Sequence, residues 1–282
     1  VTHVSVVIPT HNRAGLLAAA VGSVLHQATH GHTLEVIVID DGSTDDTPQV
    51  LRQFGDRIVT VVIPSSGRPA VPRNVGLRRA TGELVAFQDS DDLWAADRLL
   101  QQVALFDDPA VGLAYGNATV IDPAGCPTGA LVIDPERAVH GSCHDELLRA
   151  NVISTLTVMA RRQALLDLGG FDEDPGLRGV EDYELWLRLS TRWELAYLDA
   201  TLASYRSHPG NLSDVTAELA LRRLTVVFGR HLRSLPPGGA RWATRRRLAQ
   251  AHLDLARCLS GPARVAPALR GLAALTLAGA RR

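Results

Sequence analysis

Short runs of Val, Ile and Leu alternate with amphipathic stretches through about the first 125 residues of the chain. The runs at residues 4–8, 34–39, 58–63 and 84–87 are rich in β-branched residues and interrupted by few polar ones, the pattern of strands covered on both faces. Helical stretches are expected between them at 14–26, 45–54 and 72–80. Strand and helix in turn predict βα units around a mainly parallel sheet. Ser43 and Thr44 are the expected N-caps of the second helix, with Asp46 adding negative charge to its first turn. A further helix is expected to begin near Leu93, with Leu93, Leu100 and Val103 on one face.

The periodicity then changes. A strand is predicted at 113–121 and a loop or hairpin at 122–129, where two prolines and two glycines fall together. A helix at 144–150, a strand at 155–160 and a short helix at 162–168 lead into "GGFDEDPGLRGVED". The four glycines and one proline of that stretch mark a mobile, functional loop. The helix expected at 183–190 sets Glu184 and Arg188 four residues apart, at pairing distance, and 195–205 reads as the last strand. Beyond Asn211 the pattern is helical at 215–232, 240–259 and 267–279, with "SLPPGGA" and "SGPA" as breaks.

A chain of 282 residues is long enough for one α/β domain with a smaller appendage. Its net charge of −1, with acids and bases interspersed, argues against nucleic acid as a partner. Cys126, Cys143 and Cys258 are an odd set without CxxC spacing, which fits a reducing compartment and neither a disulfide framework nor a zinc knuckle. No basic-then-apolar leader opens the sequence, and the apolar stretch at 269–280 is broken by Arg270 and Gly271. The expectation is a soluble, cytoplasmic protein, with peripheral attachment at the inner face of the membrane as the variant. The chain has no lysine at all. That removes P-loop, Schiff-base, kinase and lysine-dependent nucleotidyl-transfer chemistry, each of which needs an ammonium at the reacting centre.

In an open α/β sheet, ligands gather beyond the carboxyl ends of the parallel strands. "PTHNR", "DDGSTDD", "GRPAVPRN" and "QDSDD" follow the four expected strands in order and would make one rim. Asp40 ends the second strand, where a carboxylate can accept from the ring N–H of uracil, thymine or guanine, or can simply shape a turn. Arg73 is placed to fork onto a phosphate or a base, and Asn12 and Arg13 sit at the first helix N-terminus, where Asn12 can equally be a cap. Asp89, Asp91 and Asp92 crowd three carboxylates into four positions. Two such charges about 5 Å apart repel by roughly 3 kcal/mol at an effective dielectric near 20, so a positive partner is expected. Mg²⁺ or Mn²⁺ bridging a diphosphate would supply it; a solvated helix start is the bland alternative. Asp182, beside Glu181 where the glycine-containing loop meets a helix, is a candidate general base or a helix cap. His208, just after the last strand, is a candidate metal ligand.

"VSVVIPTHNR", "VIVIDDGSTDDT", "PRNVGLRRATGELVAFQDSDD", "GGFDE", "VEDYELWLRL" and "YRSHPGNLS" together resemble family 2 glycosyltransferases of the GT-A fold over residues 3 to 213. The resemblance implies an α/β, Rossmann-like domain over 1–213, followed by a helical extension over 214–282. It implies inverting, metal-dependent transfer of a sugar from a UDP, dTDP or GDP sugar to an acceptor hydroxyl. The donor site it implies comprises Pro9, Thr10, Asn12, Arg13, Asp40, Arg73, Asp89, Asp91 and Glu181. It makes Asp182 the catalytic base and Asp91, Asp92 and His208 the ligands of Mg²⁺ or Mn²⁺. A lipid-linked acceptor, membrane attachment and a homodimer through the C-terminal helices are its further expectations. The alternative is a module of the same fold that binds a nucleotide-sugar without turning it over. A dinucleotide oxidoreductase would need GxGxxG where this chain has "PTHNR".

Overall fold

The computed structural model describes residues 1–212 and 215–279. The first half runs β1 (His3–Thr10), α1 (Ala14–Leu25), β2 (Thr33–Asp40), α2 (Thr47–Arg52), β3 (Val59–Val62), α3 (Ala70–Arg79) and β4 (Leu84–Phe87). A two-residue β5 (Leu93–Trp94), α4 (Arg98–Val103), β6 (Val111–Ile121), β7 (Pro127–Leu131) and α5 (His144–Leu147) come next. The chain continues through β8 (Met159–Arg161), α6 (Arg162–Asp167), α7 (Glu181–Leu189) and β9 (Glu194–Arg206). Three long helices follow: α8 (Ala217–Ser234), α9 (Gly239–Cys258) and α10 (Val265–Gly279).

One mixed, mostly parallel sheet orders the strands β3-β2-β1-β4-β8-β6-β9-β5, with β7 added to β6. β1, β2, β3 and β4 are parallel, and their registers align Thr10 with Asp40 and Asp40 with Val62, so the carboxyl ends of β1, β2 and β3 finish level. β8 runs antiparallel between β4 and β6, and β6 pairs in parallel with β9. Helices cover both faces, which explains why β1, β2 and β4 are largely apolar and buried while the edge strand β3 leaves Val62 exposed.

The core has two main bodies. One packs α1, α2 and α4 against the sheet around Ile8, Val38 and Leu99. The other joins Phe87, Phe171 and Trp186 edge to face and continues through Tyr183 to Phe228 of α8. α8 and α9 therefore share a core with the sheet. The expected boundary between residues 213 and 214 lies outside the described residues. α10 lies close on α9 because Gly271 has no Cβ to meet the Leu253 side chain, which would be 2.8 Å away. Among the described residues no helix is long and apolar enough to cross a membrane.

Three local expectations give way to long-range contacts. The helix expected from Leu93 starts at Arg98, because β9 captures Leu93 and Trp94 as a strand through Ser204 and Ala203. The strand expected at 155–160 is a 3-10 turn followed by the short β8. Here the buried Arg98 donates to the carbonyls of Leu156 and Val158 and Gln102 donates to that of Thr157, so side chains satisfy groups a strand would have paired. Ser43 and Thr44 do not cap α2, whose N-cap is Asp46 without a side-chain bond. Instead the Ser43 hydroxyl accepts from the Asn12 N–H and the Thr44 N–H donates to Asn12 Oδ1, at 2.9 and 2.7 Å. The glycine-rich stretch 169–182 is tied to α3, where Asn74 both donates to the Phe171 carbonyl and accepts from its N–H, each at 2.8 Å.

Candidate active site

The level strand ends open into a cavity of about 710 Å³. Of the residues expected there, Pro9, Thr10, Arg13, Arg73, Asp89, Asp91, Asp92, Glu181 and Asp182 line it. Asn12, Asp40 and His208 do not. Asn12 has a left-handed backbone (φ 52°) and links "PTHNR" to "DDGST", as described above. Asp40 is 1% exposed and its Oδ1 accepts the Ser43 N–H at 2.9 Å, so it shapes the turn. The carboxylate that reaches the wall is the next one, Asp41, fixed by the N–H and hydroxyl of Ser66 at 2.8 and 2.9 Å. The doubled Asp was the available signal, and a strand sends successive side chains to opposite faces.

The crowded acids find protein partners first. Asp89 pairs with Arg73 at 2.9 Å, and Asp91 pairs with Arg13 at 3.2 Å. Asp92 is 1% exposed and its Oδ1 accepts the Arg206 N–H at 2.7 Å. Burial, then the charges of Asp89 and Asp91, push its carboxyl up to about 9, so this third acid avoids the crowding by holding its proton. Within the protein itself, Arg73 and Arg13 thus offset part of the charge of this acid cluster.

Arg73 is not a free fork. It is buried, and its terminal nitrogens donate to Glu181 Oε1 at 2.7 Å and Asp89 Oδ1 at 2.9 Å. Burial opposes its charge, but Asp89, Glu181 and Asp182 around it hold the guanidinium charged more firmly than usual. Glu181 spends its other oxygen on the Gly179 N–H at 2.5 Å. Arg73 thereby joins α3, the "DSDD" turn and the start of α7 through one side chain.

Asp182 is half-buried at the cavity wall. Its Oδ1 accepts its neighbour's N–H, from Tyr183, at 2.7 Å, and its Oδ2 accepts the Thr155 hydroxyl at 2.8 Å. Burial and then the Glu181 charge raise its carboxyl to about 6, with Arg73, Thr155 and the Tyr183 N–H pulling the other way. It is ionised at neutral pH and close enough to neutrality to take a proton, the condition for a general base. Thr155 escaped the sequence reading, since nothing in the spacing marks a threonine 27 residues away as its partner.

Of the three expected metal ligands, Asp91 and His208 meet, with His208 Nε2 3.1 Å from Asp91 Oδ2, while Asp92 is buried with its Oδ1 on the Arg206 N–H. Among the described residues no three acids, histidines or cysteines cluster as a ready cage. One carboxylate and one imidazole suit an ion that takes its remaining oxygens from a diphosphate and water. His208 Nδ1 accepts the Gly210 N–H at 3.0 Å, which puts the proton of the neutral ring on Nε2, facing Asp91. Ligation through Nε2 therefore requires the other tautomer and release of Gly210.

The pattern of the family described as "Glycosyl transferase family 2" matches residues 5–126. The chain is 33% identical over 207 residues to the "Putative teichuronic acid biosynthesis glycosyltransferase TuaG" of Bacillus subtilis (strain 168), covering 72% of this chain and 78% of that one. It is 32% identical over 187 residues to the "UDP-Glc:alpha-D-GlcNAc-diphosphoundecaprenol beta-1,3-glucosyltransferase WfgD" of Escherichia coli, covering 66% and 69%. Among solved structures, S. aureus TarS with UDP-GlcNAc superposes with a TM-score of 0.71 at 20% identity, over 96% of this chain and 79% of that one. The mannosyltransferase PcManGT of Pyrobaculum calidifontis with GDP-Man and Mn²⁺ gives 0.62 at 22% identity, over 99% and 75%. At such identities the structural likeness speaks for the fold alone. With the sequence relatives and the rim of polar strand ends, it identifies this chain as a member of glycosyltransferase family 2, a GT-A-fold enzyme that transfers a sugar from a nucleotide sugar.

Proposed function

We propose that the enzyme transfers a sugar, with inversion, from a UDP-sugar to a hydroxyl of an undecaprenol-linked acceptor during assembly of a surface polysaccharide. The observation that carries the chemistry is Asp182, a carboxylate raised to about 6 and held by Thr155 at the wall of the cavity that the "DSDD" turn also lines. Asp182 accepts the acceptor hydroxyl proton while that oxygen attacks the anomeric carbon. The bond from that carbon to the diphosphate oxygen breaks on the opposite face, and its electron pair leaves with the nucleoside diphosphate. Thr10, Arg13 and Asp41 face the donor; Arg73 keeps Asp89 and Glu181 in place. Asp91 and His208 would hold Mg²⁺ or Mn²⁺, which offsets the negative charge that grows on the leaving diphosphate.

The choice of UDP and of an undecaprenol-linked acceptor is supported by the activity that names the E. coli relative, and polysaccharide assembly by the name of the B. subtilis one. Residues 1–213 act as the transferase unit and 214–282 as a helical extension. Its α10 leaves Val265, Leu269 and Leu272 exposed along one face, and no acid follows Asp254, which suits an anionic bilayer at the cytoplasmic side.

The test is thermal stabilisation by UDP, GDP, dTDP and ADP, with and without Mn²⁺, followed by transfer assays on the Asp182→Asn variant. UDP with metal should give the largest shift. Asp182→Asn should lower turnover by roughly 10²-fold or more with the UDP shift intact. Stabilisation by ADP alone, or full turnover in the variant, would refute the reading.

A further inference from the structure

The chemistry above leaves part of the cavity wall unassigned. Segments outside the strand ends contribute Val132, Ile133, Ile153 and Leu212 to it, along with Arg137 and Arg178. These two arginines differ from Arg13 and Arg73, and from Arg68, which donates to the Glu173 carbonyl at 2.8 Å. Arg13 and Arg73 are committed to Asp91, Asp89 and Glu181. Arg137 and Arg178 are exposed, and among the described residues neither guanidinium has a carboxylate within ion-pair distance. Two exposed guanidiniums without a carboxylate partner, beside an Arg13 and an Arg73 that have theirs, are available to an anionic ligand.

Both sit on braced turns. Ile133 exchanges its N–H and carbonyl with the buried Asn117 side chain at 3.0 and 2.7 Å, and Asp134 accepts the Glu136 N–H in the 3-10 turn that ends at Arg137. Arg178 directly follows the turn capped by Asp174, which accepts the Gly176 N–H at 2.7 Å, and Glu181 holds the next residue's N–H. With the backbone already fixed, catching an anion costs mainly side-chain order. Around them, Val132 and Leu212 are 37% and 39% exposed, so the same wall offers apolar surface to a ligand. A guanidinium fork matches phosphate oxygens, and the apolar neighbours match hydrocarbon.

We propose that Arg137 and Arg178 bind the phosphates of a lipid-diphosphate acceptor, with Val132 and Leu212 against the first units of its hydrocarbon chain. This rests on the reading of the cavity as the transfer site and assigns the acceptor half of it to residues outside the donor rim. The donor diphosphate keeps its own partners at the "DSDD" turn.

The experiment titrates the full chain, first saturated with UDP and Mn²⁺, with farnesyl diphosphate, inorganic pyrophosphate and farnesol. Farnesyl diphosphate should bind without displacing UDP, pyrophosphate more weakly and farnesol more weakly still. The double variant Arg137→Gln, Arg178→Gln should weaken farnesyl diphosphate at least about tenfold, as expected for losing charge-assisted contacts, and leave UDP affinity as it was. Displacement of UDP, or equal affinity in the double variant, would overturn the assignment. Farnesol binding as tightly would remove the phosphate role, and pyrophosphate binding as tightly would remove the apolar one. Failure of UDP itself to bind, seen before any lipid is added, would instead bring down the reading of the cavity on which the assignment stands.

Discussion

The Thr155 hydroxyl donates to Asp182 Oδ2 at 2.8 Å, joining the turn before β8 to the first turn of α7. This bond does two things for the proposed base. It fixes the carboxylate's rotation, and it favours the ionised form against the burial and the Glu181 charge that raise its pKa to about 6. Turnover should rise with pH through that value and level off above it, because only the ionised carboxylate accepts a proton. In Thr155→Val the stabilising donor is gone, so the acidic limb should move to higher pH. A hydrogen bond to a charged group is worth about 1.5 kcal/mol, or roughly one pH unit. Thr155→Ser should restore the limb. A pH profile of kcat/KM decides it, and an unmoved limb in the valine variant would assign the ionisation to another group.

Arg73 holds two carboxylates from a buried position, so Arg73→Met should strand Glu181 and Asp89. Breaking a buried pair at one side costs about 3–5 kcal/mol, far more than losing an exposed pair. Chemical denaturation should show a loss of that order, and adding Glu181→Gln should recover part of it.

Asp91 is the carboxylate nearest His208. Asp91→Asn should abolish the Mn²⁺-dependent part of the UDP stabilisation while leaving any metal-free part, and EDTA should mimic this in the parent enzyme. An unchanged Mn²⁺ response would exclude Asp91 as a ligand.

His231 of α8 and His144 of α5 meet with their Nε2 atoms 3.4 Å apart. Burial, then His144 and Arg188, lower His231 to about 3, and burial lowers His144 as well. The unfolded chain protonates such groups near pH 6.5, so their effect on stability vanishes above that value. As pH falls from 6.5 towards 3, the unfolded state takes up protons that the fold refuses, and stability drops. The melting temperature should therefore fall between pH 7 and 5, and His231→Leu should flatten that slope.

The exposed apolar face of α10 should bind vesicles containing anionic lipid at low salt and release them as salt rises. Leu269→Glu with Leu272→Glu should abolish co-sedimentation without lowering transfer to a water-soluble acceptor. A concentration-dependent dimer with no vesicle binding would instead give this face to a second copy of the chain.

The periodicity of apolar residues was sufficient to locate β1, β2, β4, β6, β9 and the three C-terminal helices to within a few residues. Burial repeats with the geometry of each element, and that repeat is written locally in the chain. The order of polar motifs likewise foretold a rim at the level strand ends. Partnerships were not legible in the same way. That Asp89 would meet Arg73, Asp91 meet Arg13, and Asp182 meet Thr155 depends on segments 16, 78 and 27 residues apart being folded together. That Asp41 and not Asp40 reaches the cavity depends on which way one side chain leaves the end of β2. Spacing along the chain can state which charges exist; Coulomb forces and hydrogen bonds act over a few ångströms of space, so only the tertiary structure decides which of them neutralise each other and which are left for a ligand.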